Sequence, residues 1–202
     1  MFENAIKEVL KHEGYYANVP GDKGGETYRG IARKYHPTWE GWPIVDREKA
    51  FFGGRLKRNQ KVDHPLMEDY VAKFYKSKFW NRIYLDLVTD QSLQAIIFDA
   101  YVNSGGNGIK VLQLVLNKSF GKNLKVDGSQ GKMTVAAINS VNPKQLFNAY
   151  KKARENYYRN IATGENAKFL KGWLNRISFF NYKAIGISAT VLLVLGLGTF
   201  FF

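Results

Sequence analysis

Residues 12–31 read HEGYYANVPGDKGGETYRGI, and the reading of this stretch decides the fold. Just upstream, Phe2, Ile6, Val9 and Leu10 recur at the spacing of one helical face. Three or four residues further along the same face lies Glu13. The spacing therefore predicts an amphipathic helix that carries Glu13 toward the core or a cleft beside it. Gly14 is expected to end that helix in the left-handed conformation. Partial burial and the negative end of a helix both favour the neutral form of a carboxyl group. A carboxylic acid that keeps its proton near neutral pH can serve as a general acid. The plainer reading is a solvated glutamate at a helix end, and position alone does not separate the two. Downstream, Gly21, Gly24 and Gly25 allow tight turns and close approach. They predict a loop or small β-hairpin that carries Asp22 and Thr27.

The composition narrows the chemistry. A chain of 202 residues buries a full core and holds one or two domains. It has no cysteine, so disulfides and thiolate metal sites are excluded. His12, His36 and His64 lack ligand spacing, and neither a metal nor a cofactor is expected. The net charge of +13 favours polyanionic partners. Without a helix-turn-helix or zinc-finger pattern, a nucleic acid is not the expected one. An anionic cell wall suits the charge equally well.

The rest of the chain reads as overwhelmingly helical. A short helix is expected over Gly30–His36, stopped by Pro37, followed by an irregular stretch over residues 38–64. Trp39 and Trp42 in that stretch either stack on sugar rings or pin the loop to the core. Pro65 opens a helix with Leu66, Tyr70 and Phe74 in one stripe. A second helix begins near Ser92 and buries Leu93, Ile96, Ile97 and Ala100, ending in an Asn103–Gly108 break. Asn103 either meets a sugar amide or caps the helix. A further helix carries Val111, Leu114 and Val115. Thr134 is a candidate cap for the next one. Pro143 suits the first position of a long helix, and Phe169–Ile177 forms the last amphipathic one.

The run HEGYYANVPGDKGGETYRGIARKYHPTWEGW resembles the opening of the glycoside hydrolase 108 family of N-acetylmuramidases, which reads Glu-Gly-Gly-Tyr, then Asp-Pro-Gly-Gly-x-Thr and Gly-Ile. Two positions depart from it: Tyr15 replaces a glycine and Lys23 a proline. Residues from about Phe98 to Ile177 resemble the predicted peptidoglycan-binding module that accompanies the family. The matching pieces are Phe98-Asp99-Ala100, Val102-Asn103-Ser104-Gly105, Asp127-Gly128-x-x-Gly131-x-x-Thr134 and Gly172-Trp173-x-x-Arg176. The resemblance implies a mainly α, lysozyme-like fold with a glycine-rich hairpin or loop near the active site. Residues 1–90 would form the catalytic region and 91–180 the peptidoglycan-binding-like helices that complete the fold. It further implies a muramidase that cleaves the β-1,4 bond between N-acetylmuramic acid and N-acetylglucosamine. Glu13, Asp22 and Thr27 fall on the catalytic positions. Tyr28, Trp39 and Asn103 are the candidate substrate contacts. A non-catalytic peptidoglycan anchor of a membrane complex is the alternative.

The end of the chain adds a tether. Ala184 to Phe202 runs for nineteen residues without a charge. As a helix it would extend about 28 Å, close to the roughly 30 Å hydrocarbon core of a bilayer. A single C-terminal transmembrane helix over 184–202 is therefore expected. The catalytic part would act on periplasmic peptidoglycan, with a membrane, secretion or lysis assembly as candidate partner. Arg176 and Lys183 precede the tail and no basic residue follows it, so the charge rule leaves the catalytic part on the cytoplasmic side. Peptidoglycan lies on the other side, and the orientation stays open.

Overall fold

The computed structural model describes residues 1–11, 13–18 and 25–183; Asp22 and the apolar tail 184–202 lie outside them. The chain divides into two compact units. Among the described residues, one holds Phe2 and Ile6–Arg82; the other holds Met1, Glu3–Ala5 and residues 83–183. The architecture is mainly helical with a small three-stranded sheet, and it fits the expected lysozyme-like fold. Among the described residues no helix is long and apolar enough to cross a membrane.

Helix α1 spans Phe2–Leu10 and buries Phe2, Ile6 and Val9 of the face read from the sequence, while Leu10 is half-buried. The helix stops earlier than expected. Glu13 lies in a turn beyond the helix, and Gly14 is not among the residues with positive φ. The antiparallel sheet follows: β1 is Tyr16–Ala17, β2 Thr27–Tyr28 and β3 Ile31–Ala32. Tyr16 faces Tyr28 and Ala17 faces Thr27, so β1 and β2 are antiparallel neighbours on either side of the glycine-rich stretch.

The short helix expected over 30–36 is instead β3 and a turn. Arg29 and Gly30 both take positive φ (50° and 75°), the two-residue turn whose twist matches paired strands. The stretch taken as irregular contains a helix, α2 (Trp42–Phe51), with Pro43 in its first turn. Helix α3 (Met67–Tyr75) buries Met67, Val71, Phe74 and Tyr75; Leu66 lies outside this face and is exposed.

The second unit is entirely helical among its described residues. Helix α4 (Gln91–Ser104) starts at an Asp90 cap that accepts from the Leu93 amide at 3.0 Å. Helices α5 (Gly106–Phe120) and α7 (Pro143–Ile161) pack on it, and Tyr150 donates to the Gly108 carbonyl at 2.9 Å. Asn142 caps α7 just before Pro143, as the proline predicts. Helix α6 (Lys132–Asn139) takes Gly131 as its cap. Thr134 is not the cap: it is buried inside the helix near the Gln113 amide. Helix α8 (Leu170–Ser178) closes the unit, with Trp173 stacked on Tyr158 at 5.2 Å between ring centres.

Candidate active site

All the pieces around Glu13 come from the first unit. Where α1 ends, its last carbonyls need partners. Arg29 supplies one, with Nη1 donating to the Leu10 carbonyl at 3.2 Å and, at the limit of bonding distance, to that of Glu13 at 3.5 Å. A cation at a helix C-terminus is also favourable to the helix dipole. The same guanidinium lies 3.8 Å above the Tyr15 ring and 3.4 Å from a Glu68 oxygen. Arg29 can reach there because it occupies the tight β2–β3 turn. Its amide donates to the Tyr15 carbonyl at 2.9 Å, and its own carbonyl accepts from the Tyr75 hydroxyl at 2.8 Å. Asn59 completes the frame by accepting from the Tyr15 amide at 2.9 Å.

Gly30 shows where the Glu13 carboxylate rests. A β-carbon there would stand 2.9 Å from Glu13 Oε2 and 2.8 Å from the Tyr75 hydroxyl. The turn therefore requires glycine twice over, once for its positive φ and once because the carboxylate and the phenol close over it. Half-buried in this way, Glu13 lines a cleft of about 450 Å³ with Thr27, Gly30, Arg58 and Asn59. On its other side Glu13 lines a second hollow of about 530 Å³ with Lys7, Lys11, Arg29 and Glu68.

Thr27 is held by its neighbour Glu26. The Glu26 carboxylate pairs with Arg33 Nε at 2.5 Å and Lys49 at 2.8 Å, and accepts from the Tyr16 hydroxyl at 3.0 Å. Burial by itself would raise the Glu26 carboxyl. The Lys49 and Tyr16 hydrogen bonds and the adjacent positive charges outweigh it and hold the group below the usual range. Arg33 continues the brace to Asp46 at 2.6 Å and sits over the Trp42 ring at 4.2 Å. The strand bearing Thr27 is thus clamped to α2.

Glu13 and Thr27 come together in one cleft, whereas Asp22 belongs to the undescribed part of the β1–β2 connection. Two expected substrate contacts need correction. Tyr28 is fully buried, its hydroxyl accepting from the Val62 amide at 3.2 Å. Trp39 is 8% exposed, donates to the Tyr70 carbonyl at 3.2 Å, and borders a different cavity from Glu13. Both rings serve the core of the unit, where they stack at 6.2 Å. Asn103 belongs to the second unit, and its amide donates twice to Asp99, at 2.7 and 3.1 Å. This bond lies within α4 one turn back, and the cap of the helix is Gly105, whose amide donates to the Tyr101 carbonyl. Arg29, Asn59 and Tyr75 were missed. Arg29 carried only the signal of the glycine after it, a residue type favoured in two-residue hairpin turns. Asn59 and Tyr75 carried none, because their partners lie over 40 residues away.

In the second unit the motif residues are taken up by the fold. Asp99 is fully buried and pairs with Arg154 and Arg176, each at 2.7 Å. Burial would lower the Arg154 guanidinium, but the adjacent Asp99 outweighs it and keeps the charge. Asp127 accepts from the Ser129 amide at 2.8 Å and from Gln113 at 3.1 Å. Gly128 sits so close to Gly106 that a β-carbon would stand 2.7 Å from its carbonyl oxygen.

Comparison with known proteins identifies two families along the chain. Residues 6–105 match the family described as "Glycosyl hydrolase 108", and residues 107–178 match the "Predicted Peptidoglycan domain". No curated protein matches the chain. Among solved structures it is similar to SagA of Brucella abortus, with 25% identity and a TM-score of 0.59 over 88% of this chain and 89% of that one. The sequence match to the hydrolase runs past the structural division at residues 82 and 83, since α4 packs within the second unit. The chain therefore carries a glycosyl hydrolase 108 domain followed by a predicted peptidoglycan domain, which indicates a glycoside hydrolase acting on peptidoglycan.

Proposed function

We propose that the protein is a muramidase that hydrolyses the β-1,4 bond between N-acetylmuramic acid and N-acetylglucosamine. The observation that carries this reading is the Glu13 carboxyl group, lodged against the Arg29–Gly30 turn in a cleft that Thr27 also lines. As general acid, Glu13 gives its proton to the glycosidic oxygen as the bond to the anomeric carbon breaks. Water adds to that carbon and loses a proton, so the balance of the reaction is one water per bond cleaved. Asp22 supplies the second carboxylate from the β1–β2 connection, and Thr27 helps to place the water. The separation of the two carboxyl groups sets the outcome: about 5–5.5 Å gives retention and roughly 6.5–9.5 Å inversion. We further propose that residues 184–202 tether the enzyme to a membrane, since they form an uncharged stretch of spanning length.

The test is release of reducing ends from purified sacculi by the full chain held in detergent. Hydrolysis by wild type and its loss in Glu13→Gln supports the assignment. Equal rates for the two would overturn it. Firm sacculus binding with no release by wild type would favour the non-catalytic anchor. The tether is read separately, by carbonate-resistant partition into vesicles that deletion of 184–202 abolishes.

A further inference from the structure

The cleft that holds Glu13 has neighbouring hollows beyond Arg58. Arg58 and Asn59 line it together with Thr27, and the same two residues line the adjoining hollow of about 460 Å³ with Phe52, Arg55 and Lys57. Arg55 and Arg58 also line a third hollow of about 440 Å³, which reaches Tyr16 and Lys49. Arg58 thus borders all three hollows, and Arg55 and Lys57 lie next to the Glu13 cleft through it. These cations differ from the others nearby. Arg29, Arg33 and Lys49 are each ion-paired to a glutamate, whereas Arg55, Lys57 and Arg58 are exposed and form no ion pair among the described residues. The turn at Gly53 and Gly54, both with positive φ, brings Arg55 and Lys57 back beside Phe52, which is half exposed.

Three exposed cations that form no ion pair among the described residues, gathered on a concave surface, focus a positive potential. Two of them are arginines, whose planar forks suit carboxylates. Charge and shape together call for an anionic ligand continuous with whatever occupies the Glu13 cleft. We infer that Arg55, Lys57 and Arg58 form a subsite for carboxylates borne on the glycan strand by its peptide substituents, positioned next to the bond to be cut. This rests on the muramidase reading of the Glu13 cleft, and it adds a source of specificity that the glycosidic chemistry does not need. A neutral polysaccharide of the same backbone offers these cations nothing to pair with.

The subsite is tested by binding, so that it is separable from hydrolysis. The full chain carrying Glu13→Gln is cosedimented at low salt with native sacculi, with sacculi freed of anionic wall polymers by mild acid, and with sacculi whose carboxylates are amidated. The expected result is about tenfold weaker binding after amidation, the scale of a pair of charge-assisted hydrogen bonds. Removal of the polymers should leave binding unchanged. Adding Arg55→Gln and Arg58→Gln should abolish the preference for native over amidated sacculi. Lys57→Gln should reduce it part way. Retention of the full preference by the double variant would overturn the subsite, and so would loss of the preference once the polymers are removed. Reducing-end release by wild type on the same native sacculi reports on the muramidase reading alone, because the binding ratio does not depend on turnover.

Discussion

The two units handle their acidic residues in opposite ways. In the helical unit Asp99 is fully buried between Arg154 and Arg176, and Asp127 is held by Gln113 and the Ser129 amide. Both side chains order the fold, Asp99 from within the core and Asp127 from an exposed turn. In the sheet-bearing unit one carboxylate, Glu26, does similar work, while Glu13 stays half-buried at the wall of a cleft. The lesson is that an acidic motif residue becomes a candidate for chemistry only where the surrounding fold leaves room for substrate. The first unit makes that room with turns: a helix that stops at Leu10, and a hairpin whose two central residues both take positive φ.

This contrast can be broken by substitution. Glu13→Gln should lower reducing-end release by about 10²–10⁴-fold, the usual contribution of a general acid, while the thermal transition stays put. Asp99→Asn should do the reverse. Leaving the buried Arg154 and the part-buried Arg176 without their counter-charge should cost about 3–5 kcal/mol in urea unfolding, with a comparable rate per folded molecule. A loss of activity in folded Asp99→Asn would mean that the second unit takes part in the chemistry. Gly30→Ala lies between the two. The left-handed backbone costs about 1–2 kcal/mol with a β-carbon present, and the methyl group meets Glu13 and Tyr75, so stability and activity should fall together.

Two smaller effects sharpen the picture. Removing the charge-assisted bonds of Glu26 by Glu26→Gln should cost about 1.5–3 kcal/mol at neutral pH. Its carboxyl is held low in the folded state, so the contribution is complete above the ordinary glutamate range and is lost as pH falls through the lowered value. Wild type should therefore lose its advantage over Glu26→Gln when urea midpoints are followed below about pH 4. Asn103→Ala should be the mildest, about 0.5–1.5 kcal/mol in stability, because its amide serves Asp99. A raised KM with unchanged stability would instead make it a substrate contact.

Much of this was legible in the chain itself. Periodic apolar residues marked α1, α4, α5, α7 and α8, and Pro143 set the start of α7, because helical faces and caps are local in sequence. The pairing of β1 with β2 was legible as an alternative, from the glycines flanking Asp22. Misreadings arose where long-range packing overrode local pattern. Gly30–His36 became a turn and strand because β3 pairs with β2, and Tyr28 and Trp39 became core because their polar atoms found backbone partners.

For residues 12–31, the sequence by itself determined that Glu13 stands near the end of an amphipathic helix, which the structure stops at Leu10, and that Thr27 follows a glycine-rich stretch. Only the tertiary structure decided that Glu13 rests on the Gly30 turn, that Arg29 secures the helix end behind it, and that Thr27 lines the same cleft. The reason is physical. Side-chain periodicity and turn chemistry act over a few residues and can be read one segment at a time. The cleft takes Arg58 and Asn59 from a distant segment, while Glu68 and Tyr75 hold Arg29 from others, and their placement follows from packing that no local pattern encodes.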